Sequence, residues 1–231
     1  EFVTYFSESV LARVQFTIRV PPMENRKLPL AEIRQKVFEL AQSWSDGLLE
    51  ALTEAWGEEK GSEMKRTWSA GFPASYLEMF SPRRAAIDLE YVANAARTGD
   101  MAMSFYRALE EDDSTIHFKL FYPSHPVPLS DVMPLFDNFG FRVLSEHPFE
   151  MTSRNDEVVW LHDFTLRTVS GATVDLQRLR PLFDELFRRV WRGDAENDAF
   201  NRLMKSSYKS WRQIALLRTY ARYMRQIRFS N

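Results

Sequence analysis

Between residues 100 and 193 the apolar residues recur with a period of two and then of about 3.6, twice over, and few folds fit that succession. Met101–Arg107 and Thr115–Tyr122 alternate as strands do, and Glu110–Ser114 between them is polar turn sequence, so the pair reads as a hairpin. Ile116, Phe118, Leu120 and Tyr122 fall on one face of the second strand. In Val127–Gly140 the stripe Val132, Leu135, Phe136 and Phe139 predicts a helix. Ser130 is its expected N-cap, Asp131 complements the dipole, Pro134 falls in the first turn and Gly140 stops it. Phe141–Met151 and Val158–Val169 read as strands around a Ser153–Asp156 turn, with Val158, Trp160, Phe164 and Leu166 on one face. A second helix over Asp175–Trp191 buries Leu179, Leu182, Phe183, Leu186, Phe187 and Val190, and Gly193 ends it.

The order strand, strand, helix, strand, strand, helix is α+β and close to the ferredoxin-like βαββαβ unit, whose last strand lies beside its first. Nothing extended follows the second helix, so strand 101–107 is expected to fill that edge slot, antiparallel to 115–122. The other edge is then 141–151, which suits Pro148, since a proline is tolerated on an edge strand. The expectation is a small open-faced antiparallel sheet backed by two helices.

A partial internal repeat lies upstream. An offset of 148 sets Val10, Phe16, Thr17, Ile18 and Arg19 on Val158, Phe164, Thr165, Leu166 and Arg167. After a two-residue slip, Ile33, Val37, Leu40, Ala41 and Gly47 meet Leu179, Phe183, Leu186, Phe187 and Gly193. Residues 9–57 thus read as the last strand and helix of an earlier module, with chance similarity of two strand–helix units as the rival. Residues 58–99 and 194–231 read as helical. Ser81-Pro82 starts a helix, and Gly57, Gly61, Gly71 and Pro73 punctuate the stretch before it. The expected division is 1–57, 58–99, 100–193 and 194–231.

Composition is ordinary for a globular chain of 231 residues, 45% hydrophobic and 27% charged, which excludes disorder. No apolar run approaches the roughly 20 residues that span a bilayer. The opening EFVTYFSESV has no Met, basic region or cleavage site, so it reads as a piece of a longer chain without a signal peptide. Cysteine is absent, which removes disulfides, thiolate metal sites and Cys nucleophiles. From Asp175 onward 13 Lys/Arg face 6 Asp/Glu, a local +7, whereas residues 1–174 carry −9. No acidic residue follows Asp198. That basic arm reads first as a helix face docking on acidic neighbours, and second as a nucleic-acid contact.

Chemistry-bearing patterns are missing. No two of the eight glycines form G-x-G, so neither a dinucleotide fingerprint nor a phosphate loop can be written. His117, His125, His147 and His162 form no metal-ligand spacing, and His162 with Asp163 points to opposite faces of a strand, so structural roles are expected. Glu58-Glu59 and Glu110-Glu111 sit in connector or turn sequence, unlike the buried, unequal carboxylates of acid–base catalysis. No catalytic, cofactor or metal residue is expected in this chain.

Five blocks then occur in order: Phe72–Tyr76 with Phe80–Pro82, Val127–Val143, Val159–Phe164, Val190–Leu203 and Ser210–Gln226. Together they resemble the non-catalytic region of the large bacterial NAD-specific glutamate dehydrogenases. The resemblance implies ACT-type modules and helical motifs ahead of a separate catalytic domain, so the sheet would be ACT-like. It further implies a cytoplasmic parent that uses NAD to oxidise glutamate to 2-oxoglutarate and ammonia. Implied partners are other domains of the same polypeptide, sibling subunits of a homo-oligomer and an amino-acid effector, with no membrane; a nucleic-acid module or a pure scaffold is the alternative. ACT modules commonly bind amino acids or pair side by side. By that analogy an effector would meet the strand–helix junction Pro123–Asp131, with Ser130 and Asp131, and the helix end Asn138, Phe139 and Gly140. The plainer reading of those five residues is a turn, an N-cap and a C-cap.

Overall fold

A computed structural model describes residues 2–5, 13–16, 44–107, 111–112, 114–169 and 173–229. The chain forms two compact units, residues 1–97 with 149–159, and residues 98–148 with 160–231.

In the first unit β1 (Phe2–Tyr5) pairs antiparallel with β2 (Arg13–Phe16), in a register that sets the Phe2 backbone opposite that of Phe16. Apart from Phe16 and Gly47, the upstream half of the predicted repeat lies outside the described residues. Helical residues 44–56 (α1) precede α2 (Glu58–Trp68), a short 3-10 turn (Ser69–Gly71), α3 (Ala74–Met79) and α4 (Pro82–Thr98). Ser81 starts α4 as expected, its carbonyl accepting the Ala85 N–H at 3.0 Å. Gly57 interrupts at φ 83, whereas Gly61 lies inside α2 instead of ending an element. Its role is proximity: a Cβ there would sit 2.9 Å from the Leu52 backbone of α1. An aromatic cluster of Trp44, Phe72, Tyr76, Phe80 and Phe149 holds the unit, and the fully buried Tyr76 hydroxyl donates to Asp88 at 2.7 Å.

In the second unit β3 (Ala102–Tyr106), β4 (Thr115–Pro123), β5 (Phe141–Thr152) and β6 (Val158–Thr168) form an antiparallel sheet in the order β3-β4-β6-β5. The β3–β4 register sets Phe105 opposite Phe118 and Ala102 opposite Phe121. β3 fills the edge slot beside β4, and β5, with Pro148, is the other edge, as the strand order predicted. Helices α5 (Leu129–Phe139) and α6 (Leu176–Trp191) supply the apolar stripes. Ile116, Phe118 and Leu120 join Phe164 and Leu166 in one core with Phe136, Phe139, Phe183 and Phe187 of the helices. Asp175 caps α6 by accepting the Gln177 and Arg178 N–H groups.

Three expectations need correction. Helix α5 begins at Leu129, capped by Pro128 and not by Ser130; Pro128, with φ −62 and ψ 130, presets the entry, and its carbonyl accepts the Asp131 N–H at 3.0 Å. Pro134 consequently lies beyond the first turn, inside the helix. Nor is the sheet open-faced: Lys119, Phe121 and Leu161, which point away from the core, are fully buried. Alternation marks which side chains share a face and leaves open what covers the other one.

Beyond α6 the chain is helical as expected, with a 3-10 turn (Ala199–Arg202), α7 (Leu203–Ser206) and α8 (Trp211–Gln226). The start of α8 is a full capping box between Ser210 and Gln213. Lys205 donates from Nζ to the Gly140 carbonyl at 2.5 Å, at the C-terminus of α5, where a cation is favoured. Burial, with Arg202 nearby as a second cause, holds the Lys205 amine below its ordinary value of 10.5. The unfolded chain then binds the extra proton, so stability rises with pH across the interval below 10.5. Urea titrations between pH 8 and 10.5 are expected to show the parent sequence gaining on Lys205→Met. Parallel pH profiles would remove Lys205 from the account.

Candidate effector site

Strand β4 ends in Tyr122-Pro123 and enters α5 through Ser124-His125-Pro126-Val127-Pro128, a loop in which two prolines restrict φ. Ser124 takes φ 75, a costly value for a residue with a side chain, and the His125 N–H closes on the Pro123 carbonyl at 3.0 Å. Val127 anchors the loop: its N–H donates to His162 Nε2 at 3.1 Å. Because Nε2 accepts, Nδ1 carries the proton and donates to Glu146 Oε1 at 2.7 Å. His162 is therefore a buried strut between β5, β6 and the loop.

The loop walls a cleft of about 390 Å³ lined also by Gly99, Asp100, Met101, Trp191 and Arg192. Tyr122 meets His125 edge-on at 5.2 Å and Trp191 at 5.9 Å, and Trp191 stacks on Phe187 with 10° between ring planes. Asp100 Oδ2 accepts from Arg188 Nη1 at 3.0 Å and from Arg192 Nη2 at 2.7 Å. Arg188 also bridges Asp184 one turn earlier, so three ion pairs among four side chains lock the mouth while Arg192 stays half exposed. These pairs are solvated and contribute about 1 kcal/mol or less each. Their value is geometric: a half-exposed guanidinium beside an aromatic wall suits a small ligand with a carboxylate.

The five residues singled out from the sequence are not gathered in one place. Ser130 and Asp131 are exposed in the first turn of α5, with the Ser130 hydroxyl donating to Asp131 Oδ1 at 3.1 Å. Asn138, Phe139 and Gly140 are at the other end of an 11-residue helix, roughly 15 Å away at 1.5 Å per residue. Asn138 donates to Asn197 Oδ1 at 3.1 Å, and Phe139 is fully buried against Phe183. Gly140 is the left-handed C-cap, and its carbonyl takes both Lys205 and the Val169 N–H. Asp100, Trp191 and Arg192 line the cleft at the junction from positions far along the chain and carry no local signal in the sequence.

A second polar cluster lies on the sheet face away from α5 and α6. The Tyr106 hydroxyl donates to Asp163 at 3.1 Å, and the Tyr106 ring stacks on His117 at 4.5 Å. His117 Nε2 lies 2.6 Å from Glu111. Among the described residues no three His, Asp or Glu side chains converge as a metal site, and no helix is long and apolar enough to cross a membrane.

Comparison with known sequences bears on this arrangement. Domain models of the glutamate dehydrogenase family match in chain order: ACT2 over residues 1–45, helical motif 2 over 51–95, ACT3 over 100–179 and helical motif 3 over 195–231. The NAD-specific glutamate dehydrogenase of Halomonas elongata is 42% identical over 229 residues, covering 99% of this chain and 14% of that protein. That of Pseudomonas aeruginosa is 41% identical over 228 residues, with the same shares.

The chain belongs to the ACT and helical-motif region of the NAD-specific glutamate dehydrogenases.

A more distant member, the NAD-specific glutamate dehydrogenase of Mycobacterium tuberculosis, is 26% identical over 246 residues. The chain spans about one seventh of the length of these glutamate dehydrogenases, and what matches is ACT and helical-motif sequence, not a catalytic domain. The ACT3 match coincides with the four-stranded sheet and reaches into α6.

Proposed function

We propose that this chain is a regulatory and assembly segment of a cytoplasmic, homo-oligomeric dehydrogenase that uses NAD to convert glutamate to 2-oxoglutarate and ammonia. Its modules are taken as 1–57, 58–99, 100–193 and 194–231. The third is an ACT-like unit that senses an amino acid. The observation that supports this reading best is the cleft at the β4–α5 junction, the place the ACT analogy selects. Ser130 and Asp131 border that junction from the helix side. In this proposal Arg192 meets the effector carboxylate, and Tyr122 with Trp191 holds its side chain. Asn138, Phe139 and Gly140 enter only as the far end of the helix that such binding would move.

Calorimetry of the full-length enzyme with a panel of amino acids tests the reading. Heats at millimolar concentrations that vanish in Tyr122→Ala, with NAD-linked turnover intact, are expected. Silence across the panel would leave an assembly segment without a sensor. The basic arm gives little support to a nucleic-acid role. Arg218 is buried on Asp198, and Arg222 pairs with Glu196, which holds the Arg222 guanidinium above its ordinary range. Oligonucleotide titrations are expected to be flat at all salt concentrations.

A further inference from the structure

Helix α8 is amphipathic twice over. Its inner side buries Ile214 and Arg218, the guanidinium donating to Asp198 at 2.7 and 3.0 Å and to Asn201 at 2.9 Å. On the opposite side Leu216, Leu217, Tyr220, Tyr223, Met224 and Ile227 recur at helical spacing and are 41–58% exposed. Six large apolar side chains in one stripe exceed the scattered exposure of an ordinary surface and mark an interaction site. The stripe runs roughly 17 Å from Leu216 to Ile227, the length of one short helix.

Charge says what kind of partner fits. No carboxylate occurs after Asp198, and among the described residues none pairs with Arg212 or Arg228. A second copy of α8 is a poor occupant: antiparallel pairing centred on Tyr220 would set Arg212 against Arg228, like charge on like. We propose that the outer face of α8 docks an amphipathic helix whose apolar stripe is rimmed by carboxylates, supplied by another part of the parent polypeptide. This goes beyond the effector reading and does not depend on it. A filled cleft leaves α8 bare, and a covered α8 leaves the cleft untouched.

Hydroxyl-radical footprinting of the full-length enzyme reads the coverage directly. Tyr220 and Tyr223 should be labelled about tenfold less in the native enzyme than in urea, as buried interface cores are. Equal labelling would overturn the proposal. Photocrosslinking from Tyr220→p-benzoylphenylalanine then identifies the occupant. The expected adduct lies outside these 231 residues, on a helix with Asp or Glu three or four positions from the adduct. Adducts to α8 of a second copy, or to a segment without carboxylates, would overturn the assignment. Should that variant fail to fold, Arg212→Glu with Arg228→Glu serves instead: labelling of Tyr220 should rise at least about threefold, because a reversed rim repels an acidic partner. Unchanged labelling would overturn the charge argument.

Discussion

Phe183→Ala is expected to destabilise the four-stranded unit by about 4–5 kcal/mol, the upper part of the range for a buried phenylalanine. Phe183 has no exposed surface, and its ring centre lies 4.8 Å from Phe105, 5.1 Å from Phe118, 5.2 Å from Phe139, 5.8 Å from Phe187, 6.0 Å from Phe141 and 6.5 Å from Phe136. Those six rings come from β3, β4, β5, α5 and α6, so one side chain keys every layer of the unit. A cavity left there is lined by stiff aromatic walls that cannot collapse inward, and the cost grows with the volume that stays empty. Each aromatic pair adds about 0.5–1.5 kcal/mol beyond its area, though the six do not sum because they share one ring. Phe183→Leu should cost less than half as much, since it keeps most of the volume. Urea unfolding followed by near-ultraviolet dichroism should show a lower midpoint and an unchanged slope. A loss below about 1.5 kcal/mol would mean that the core closes around the gap and that α6 is not fixed by this ring.

That core was legible because its signals are local. Phe183 and Phe187 sit one turn apart on a helix, Phe118 alternates on a strand, Gly140 can take a left-handed φ, and Pro148 bars β5 from the middle of a sheet. Together these determine strand order even though the unit departs from βαββαβ. The start of β3 occupies the place where a standard unit would run on from its second helix. There Asp100 is held by Arg188 and Arg192, an ionic link where a peptide link would ordinarily be. The cleft opens at that break. None of it was legible, because an ion pair spanning 92 residues leaves no periodic trace. The misplaced cap has a different origin: Ser130 is a good N-cap by residue type, yet Pro126, Val127 and Pro128 preset the backbone and start the helix first. Burial of Lys119 and Phe121 was hidden for a third reason. Alternation assigns a polar face to solvent only when nothing else packs on it.

Gly71→Ala should cost about 2–4 kcal/mol, for a reason no propensity scale contains. Its backbone needs no positive φ; what it needs is room, since a Cβ would lie 1.7 Å from the Thr152 carbonyl oxygen, 2.7 Å from its carbon and 2.9 Å from its nitrogen. All three are main-chain atoms, so no side-chain rotation relieves the clash. The two segments are also tied nearby, the Arg154 N–H donating to the Thr67 carbonyl at 2.7 Å. Separating them far enough for a methyl group adds the loss of that bond, about 1 kcal/mol, to an overpacking cost of roughly 1–3 kcal/mol. Gly99 supplies the control: it has φ 66 and open space around a built Cβ, so Gly99→Ala should cost only the roughly 1–2 kcal/mol of a left-handed alanine. The two variants also differ in where the damage falls. Gly71→Ala should speed hydrogen exchange at Arg154 and proteolysis of the Ser153–Glu157 turn, whereas Gly99→Ala should leave both unchanged. Equal losses in the two variants would mean that Thr152 yields, and that the first unit does not depend on the close approach of Gly71 to the tip of the β5–β6 hairpin.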